Sequence, residues 1–552
     1  MRACGESPSN VPTRITTLQW GWVIDQFRKY LRGADSRVPT THPRHQSDVS
    51  YINHKNAPAT QSRLTMADTA TTITALTATL VALALCRAIY HAFLHPLSAI
   101  PGPKLAAISR LWLFWADMSG HAHATIRHWH ATHGPLIRIA PNELSVHSID
   151  AYTTALYCQN TKFAKAPYFY VAFDNPAGSV FSELDKHAHA AEKRLMAHAF
   201  SRSNILGLQR RVLYPNVERW IDKIRQCVAR GENVPVWLAA QCLALETAAC
   251  FSYGSGDGAF EAEGFAHELL DSFDAFSKIV TVFMHLPPVR SVALWVQRLS
   301  GSAVARVNQG ASEGFGRLVA QKRAGETNGM IMFESMMERA ERNKVALERG
   351  RLVSNGSLML VAGTGTTAAS ITTAIYCLVK QPQLWYQLKK QLLGLVTGTS
   401  SQPDVVELEK VPLLEAVVKE ALRVGCPIRG RNPRVTPAGG WDFDGVHIPA
   451  GTIISSAQLF YCADPTVYPE PEKFKPQRWL IEDTAAMHRN LVVFSLGTRN
   501  CIGQNLALIE MKIAISQLVL NFDPGQVMDK ELEFDEFTGL TSPKTRVEVT
   551  LH

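Results

Sequence analysis

The chain has 552 residues, 46% of them hydrophobic and 19% charged, so it can bury a large core, as two to four ordinary domains or one large helical one. Its 56 basic and 48 acidic residues leave a net charge of +8. That mild excess, with no basic run interleaved with aromatics, excludes a nucleic-acid partner and fits anionic lipid or an acidic protein. Ten cysteines are scattered without any C-x-x-C, which excludes a disulfide scaffold or a zinc site and fits a reducing compartment.

Residues 1–65 are polar and show little periodicity outside LQWGWVIDQFRKYL, and they precede Met66. They read as an N-terminal extension, either disordered or the product of a start codon placed too early. Residues 69–86, TATTITALTATLVALALC, are uncharged over 18 residues, long enough for a membrane span although six threonines dilute it. Arg87, His91 and His95 follow rather than a small-residue cleavage site, so a retained anchor over 66–95 is expected. Cations at 87, 104 and 110 place the following domain in the cytosol by the positive-inside rule, with Arg63 on the other flank opposing. PLSAIPGPK, 96–104, is expected to be a stiff proline-rich connector, since each proline fixes its own φ and biases the preceding residue away from helix. The folded domain is expected over 105–552.

Within that domain 206–230, 352–380 and 504–521 carry apolar residues at three- and four-residue spacing and predict helices, the last of them amphipathic. Strand-like pieces are short and flank turns, as in GGWDFDGVHIPAGTIIS. The fold class is therefore mainly α with a small β portion. Phe169, Phe173 and Phe181, and later Phe273, Phe276, Phe283 and Leu286 beside Pro287 and Pro288, are either core or an apolar roof over a binding site. In VAGTGTTAAS, 361–370, Gly363 and Gly365 each cost about 1 kcal/mol in a helix interior, so the pair predicts a locally opened helix. Glu348 and Arg351, and again Glu420 and Arg423, stand three apart on one helical face, a spacing worth a few tenths of a kcal/mol as a solvated pair.

FSLGTRNCIG, 494–503, sets Cys501 just before the helical run of 504–521. A free cysteine is most often a small buried hydrophobe. A sulfur at a helix N-terminus, however, faces unpaired N–H groups and the positive end of the dipole, which favour thiolate, the form that binds iron. Gly497 and Gly503 permit close backbone approach, Phe494 can cover the sulfur from water, and Arg499 offers a fork for a carboxylate.

This loop resembles the haem-binding loop of the cytochrome P-450 monooxygenases, phenylalanine-x-x-glycine-x-arginine-x-cysteine-x-glycine. The resemblance covers about residue 96 to the C-terminus. It implies the P-450 fold and haem b, with the Cys501 thiolate as axial iron ligand. It implies that Glu420 and Arg423, with Arg478 of FKPQRW, form a buried structural network. It aligns Ala362, Gly363, Thr364, Gly365 and Thr366 with the family's distal alanine-glycine-x-acid-threonine element, giving Thr366 a part in delivering protons and placing Gly365 where the acid would stand. It makes Arg434 after Pro433, His189 and Lys193, with Arg194 beside them, candidates for the haem propionates.

The reading that follows is a membrane-anchored haem-thiolate monooxygenase of the endoplasmic reticulum, single-pass and cytosolic. It would oxidise a lipophilic small molecule with O2 and electrons from NADPH through a cytochrome P-450 reductase. The connector and the PAGTII and FKPQRWL segments resemble filamentous-fungal members that act in secondary metabolism. Two alternatives stay open: a haem-thiolate enzyme of rearrangement, dehydration or peroxide chemistry without a reductase, encouraged by Gly365, and a membrane haem sensor or carrier without turnover.

Overall fold

The computed structural model describes residues 62–552 except 175–176, 291–302, 327–330, 397–401, 530 and 538–539. The expected N-terminal extension lies, up to residue 61, outside the described residues. Helix α1, Ser62–Ile89, opens the described chain. Thr71–Leu94 is long and apolar enough to cross a membrane, and none of it is buried in the protein. Its 24 residues would reach about 36 Å as a helix, more than the roughly 30 Å hydrocarbon core of a bilayer. Val236–Tyr253 and Arg349–Val379 are also long and apolar enough, but 89% and 61% of their apolar windows are buried inside the domain. Burial, not hydropathy, separates these two core helices from the candidate span.

The proline segment is less a free spacer than the first layer of the domain. Leu97 and Ile100 are buried, and the Arg138 backbone N–H donates to Pro101 O at 2.7 Å. A Cβ at Gly102 would lie 2.2 Å from Arg138 O, so only glycine allows this approach. The Arg138 side chain donates to His91 O at 2.8 Å, tying the end of the apolar span to the sheet.

That sheet is built from β1 (Leu136–Ala140), β2 (Glu143–Val146), β3 (Ala164–Lys165), β4 (Arg434–Val435) and β5 (Ile453–Ser455), in the order β1-β2-β5-β4-β3. β2 and β5 run parallel, and the other neighbours are antiparallel. Elsewhere the expected strand segment forms a hairpin of Trp441–Phe443 with Val446–Ile448, leading into β5.

The body is helical. Those that frame the site are α2 (Lys186–Met196), α3 (Tyr214–Ala229), α4 (Val236–Tyr253), α5 (Glu268–His285), α6 (Ala303–Arg323), α7 (Arg349–Val379), α8 (Pro412–Gly425) and α9 (Gln504–Asn521). Asp185 caps α2 by accepting from the N–H groups of His187 and Ala188. Pro412 starts α8, where its missing N–H is no loss. α7 runs through the centre and packs on α4, α6, α8 and α9. α9 departs from expectation: it is not amphipathic but buried on every side from Ile509 to Val519, with Glu510, Lys512, Ser516 and Gln517 enclosed as well.

Candidate active site

The loop before α9 folds back so that the Cys501 N–H donates to Phe494 O at 2.9 Å. Gly497 makes the turn possible: its φ is +70°, and a Cβ there would lie 2.4 Å from Cys158 O and 2.5 Å from Tyr157 O. Gly503 is different, because a Cβ would make only ordinary contacts, 3.9 Å from Cys501 Sγ and 4.0 Å from Phe200. Cys501 opens into an interior cavity of about 380 Å³ and is enclosed elsewhere by protein. Burial pushes its thiol pKa up, and the N–H of Gly503, the charge of Lys193 and the N–H of Gln504 pull it back only in part. The N–H groups at the helix start thus act in the expected direction, towards thiolate, against the burial that favours the thiol.

The cavity wall is mostly apolar. Phe169, Phe173, Phe181, Phe276 and Phe283 all reach it, as does Phe494. Phe273 instead belongs to the main core. Besides Arg290, and Arg431, which pairs with Asp117, five basic side chains line it: Lys165 of β3, His189 and Lys193 of α2, Arg434 of β4, and Arg499. They crowd one another. Lys165 is pushed well below the ordinary lysine pKa by burial and by Arg499, Arg434 and Lys193, with Glu183 opposing. His189 is held at about 3 by burial and by Arg499, Lys165 and Lys193. Glu183, the carboxylate beside them, pairs with Arg351.

Arg499, Lys193, Arg434 and Lys165 are each positioned by neutral oxygens. Arg499 donates to the carbonyls of Glu183, Leu184 and Asp185 at 2.9, 3.1 and 3.2 Å, so carbonyls and not a protein carboxylate hold its fork. Lys193 donates to Thr498 O and to Asn500 at 2.8–3.1 Å. Arg434 donates to the Tyr170 hydroxyl and lies over the Tyr157 ring at 4.8 Å, and Lys165 donates to Phe181 O. Positive charge therefore faces the cavity with little anionic compensation, an arrangement that fits a bound group carrying carboxylates.

α7 forms another wall through Ala362, Gly363, Thr366 and Thr367. The expected opening of this helix is absent, since α7 is continuous from Arg349 to Val379. Gly363 is explained by packing: a Cβ would meet Ala248 of α4 at 3.2 Å. Gly365 faces open space, with nothing within 4 Å of a Cβ. Thr364 is buried and donates back to Leu360 O. Thr366 donates to Ala362 O at 2.7 Å, leaving its oxygen lone pairs for other partners.

Glu420 is fully buried. It accepts from Arg423 Nε and Nη2 at 2.9 and 2.8 Å, from Arg478 Nε at 3.0 Å, from Trp479 Nε1 at 2.9 Å and from the Lys475 N–H at 2.9 Å. The similarly spaced Glu348 and Arg351 do not behave alike, because Arg351 turns to Glu192 and Glu183 at 2.6 and 3.1 Å. Among the cavity residues that escaped the sequence reading are Lys165 and Glu510. Their only sequence signal is a charge inside an apolar stretch, FAKAPYF and LALIEMKIA.

A long central helix over an apolar cavity, with a cysteine and a cationic rim facing in, defines an oxidoreductase fold built to enclose a prosthetic group. Residues 101–551 match the family model of cytochrome P450, and the chain belongs to that family, which implies haem-thiolate iron. It is 31% identical to the cytochrome P450 monooxygenase aneF of Aspergillus aculeatus, over 80% of this chain and 91% of that one. It is 28% identical to an averantin hydroxylase of Dothistroma septosporum (79% and 82% covered) and 27% identical to the conidiogenone synthase PchP450 of Penicillium rubens (83% and 94% covered). The protein is thus a monooxygenase resembling those of fungal secondary metabolism.

Proposed function

We propose that the protein is a membrane-anchored monooxygenase of a lipophilic fungal metabolite, with Cys501 as the axial ligand of haem b and NADPH as electron source through a cytochrome P-450 reductase. The observation that carries this reading is the Cys501 sulfur and the five basic side chains facing one apolar cavity. Arg434, Arg499, His189, Lys193 and Lys165 would hold the haem carboxylates, and Phe494 would shield the sulfur. Once bound, the haem supplies the redox chemistry that splits O2. The phenylalanines of α5 and of 169–181 exclude water and offer a lipophilic substrate an apolar contact surface, each buried methylene contributing about 0.8 kcal/mol. Thr366, whose proton is held on Ala362 O, presents its Oγ1 as an acceptor to water at the cavity wall.

The names of the relatives, a hydroxylase of averantin and a conidiogenone synthase, support a small lipophilic substrate. The apolar Thr71–Leu94 span supports a single-pass anchor in the endoplasmic reticulum with the domain in the cytosol. Residues 66–95 would then act as the anchor and 105–552 as the catalytic domain. Reduced protein under carbon monoxide should show the red-shifted band for which the family is named, and Cys501→Ser should lose it. A Cys501→Ser variant that kept the band and full activity would remove the assignment. Gly365, which supplies no carboxylate, favours a second reading: chemistry without a reductase. NADPH consumption coupled to an oxygenated product separates the two.

A further inference from the structure

Two further arginines line the cavity, Arg431 and Arg290. Arg431 is neutralised within the protein, its Nη1 and Nη2 donating to Asp117 at 2.7 and 2.6 Å and its Nε to Glu143 at 3.4 Å. Arg290, which follows the end of α5, is not. It is half-buried, and its Nη2 donates to Asp174 O at 3.1 Å. Among the described residues no carboxylate pairs with it, and the following residues 291–302 include no Asp or Glu. The Asp174 carboxyl turns towards Ser182 and acts on Arg290 only through space. Glu510 also lines the cavity, but burial keeps it protonated at neutral pH. A cation at an apolar wall without a carboxylate partner marks a place for an anion.

Arg290 stands apart from the cations beside Cys501. It is not among the charges that act on His189 or Lys193, whereas Arg499 acts on both. The loop that carries Asp174 is fixed to the start of α7: Arg351 donates to Ala177 O at 3.2 Å, a Cβ at Gly350 would meet the Ala177 Cβ at 3.2 Å, and Asn355 accepts from the Val180 N–H at 2.9 Å. Thr366 lies about four turns further along α7 than Arg351. Between them Leu358 and Val361 of α7 line the cavity, and Phe173, Phe276 and Phe283 line it from other elements. The cavity thus has a cation held over the start of α7, an apolar middle, and the Cys501 sulfur in its wall.

We propose that Arg290 binds the carboxylate of a lipophilic acid substrate and thereby orients it in the cavity, an inference that rests on the haem-thiolate reading. One N–H of the guanidinium is committed to Asp174 O, which fixes the fork, and the others remain for the ligand. A guanidinium grips a carboxylate through two parallel charge-assisted hydrogen bonds, so the acid end is held at the start of α7. The apolar body then runs along Leu358, Val361 and the phenylalanines towards Thr366, and oxidation falls on the end remote from the carboxylate. A neutral analogue of the same shape makes the same apolar contacts but leaves Arg290 without an anion, so charge rather than size discriminates between the two.

The test uses the full-length holoenzyme and its Arg290→Gln, Arg290→Met and Arg290→Lys variants. The probes are straight-chain alkanoic acids of graded length capped at the far end with imidazole, and the matching primary amides. The imidazole nitrogen reports binding through the shift of the haem absorption band, and the other end samples the distance to Arg290. At the chain length that reaches, the acid should bind wild type at least about tenfold more tightly than the amide. Arg290→Gln should bind acid and amide alike, and Arg290→Lys should keep part of the preference. Equal affinities for acid and amide at every length in wild type would overturn the proposal, as would a preference that survives in Arg290→Gln. Should Arg290→Gln fail to accumulate, Arg290→Met decides by the same comparison. The carbon-monoxide band and its loss in Cys501→Ser test the haem-thiolate reading separately: a protein that shows the band and binds the amides but has no preference for the acids refutes the role of Arg290 alone.

Discussion

Replacing Arg423 by alanine is the sharpest test of how the domain is held together. The side chain gives two donors to Glu420 at 2.9 and 2.8 Å and others to the carbonyls of Cys462, Pro471 and Lys473 at 3.0, 2.7 and 3.2 Å. Both partners of the ion pair are essentially inaccessible to solvent. Breaking a buried pair from one side costs about 3–5 kcal/mol. Glu420 would still accept from Arg478, Trp479 and Lys475, which favours the lower end; three carbonyls losing a donor, at about 1 kcal/mol each, push upward. An unfolding entropy of about 2.1 cal/mol/K per residue, over the domain matched at 101–551, comes to roughly 1 kcal/mol/K. Arg423→Ala should then melt roughly 3–5 °C lower and retain less haem on purification. Thermal unfolding followed by circular dichroism, with haem content on the same samples, measures both. Glu348→Ala, on the surface, is the matched control and should stay within about 0.5 kcal/mol of wild type. An Arg423→Ala protein that melts with the wild type would show that the network contributes nothing to stability.

Gly497→Ala should leave little folded holoprotein, because a Cβ meets two carbonyl oxygens of 157–158 and the left-handed φ adds about 1–2 kcal/mol; normal yield and haem content would contradict this. Thr366→Ala should raise the peroxide released per NADPH consumed while haem binding is preserved, and unchanged coupling would reduce Thr366 to a packing residue. A folded-state pKa of about 8 for Glu510, above its unfolded value of 4.5, means that its stabilising contribution is full below the unfolded value and is lost as pH rises through 8. Glu510→Gln should therefore gain on wild type by up to a few kcal/mol between pH 5 and 8, and parallel melting curves across that range would refute it. Removing residues 62–94 should release the domain from microsomal membranes into the soluble fraction, and continued sedimentation with membranes would point to another membrane contact.

The local chemistry of the cysteine loop is legible in the chain itself. A glycine, an arginine, a cysteine and a second glycine at fixed offsets before an apolar run constrain one turn, and no distant residue is needed to read them. The same holds for α7 and α9, whose apolar spacing marks them as helices, and for the uncharged span before Arg87. Residue spacing stops at the surface of each helix. Glu348 and Arg351 look identical to Glu420 and Arg423 in sequence, yet only the second pair closes on itself, because helices and loops distant in sequence desolvate it while Glu192 and Glu183 capture Arg351. Which of the 71–94, 236–253 and 349–379 segments is left uncovered by the domain was likewise decided by packing, since composition makes all three apolar enough to cross a membrane. Lys165 and Glu510 show the limit most clearly. Each is one charge in an apolar stretch, and its meaning comes from what the fold brings against it: three other cations around Lys165, and around Glu510 an enclosed cavity in which a carboxyl keeps its proton because water cannot solvate the charge.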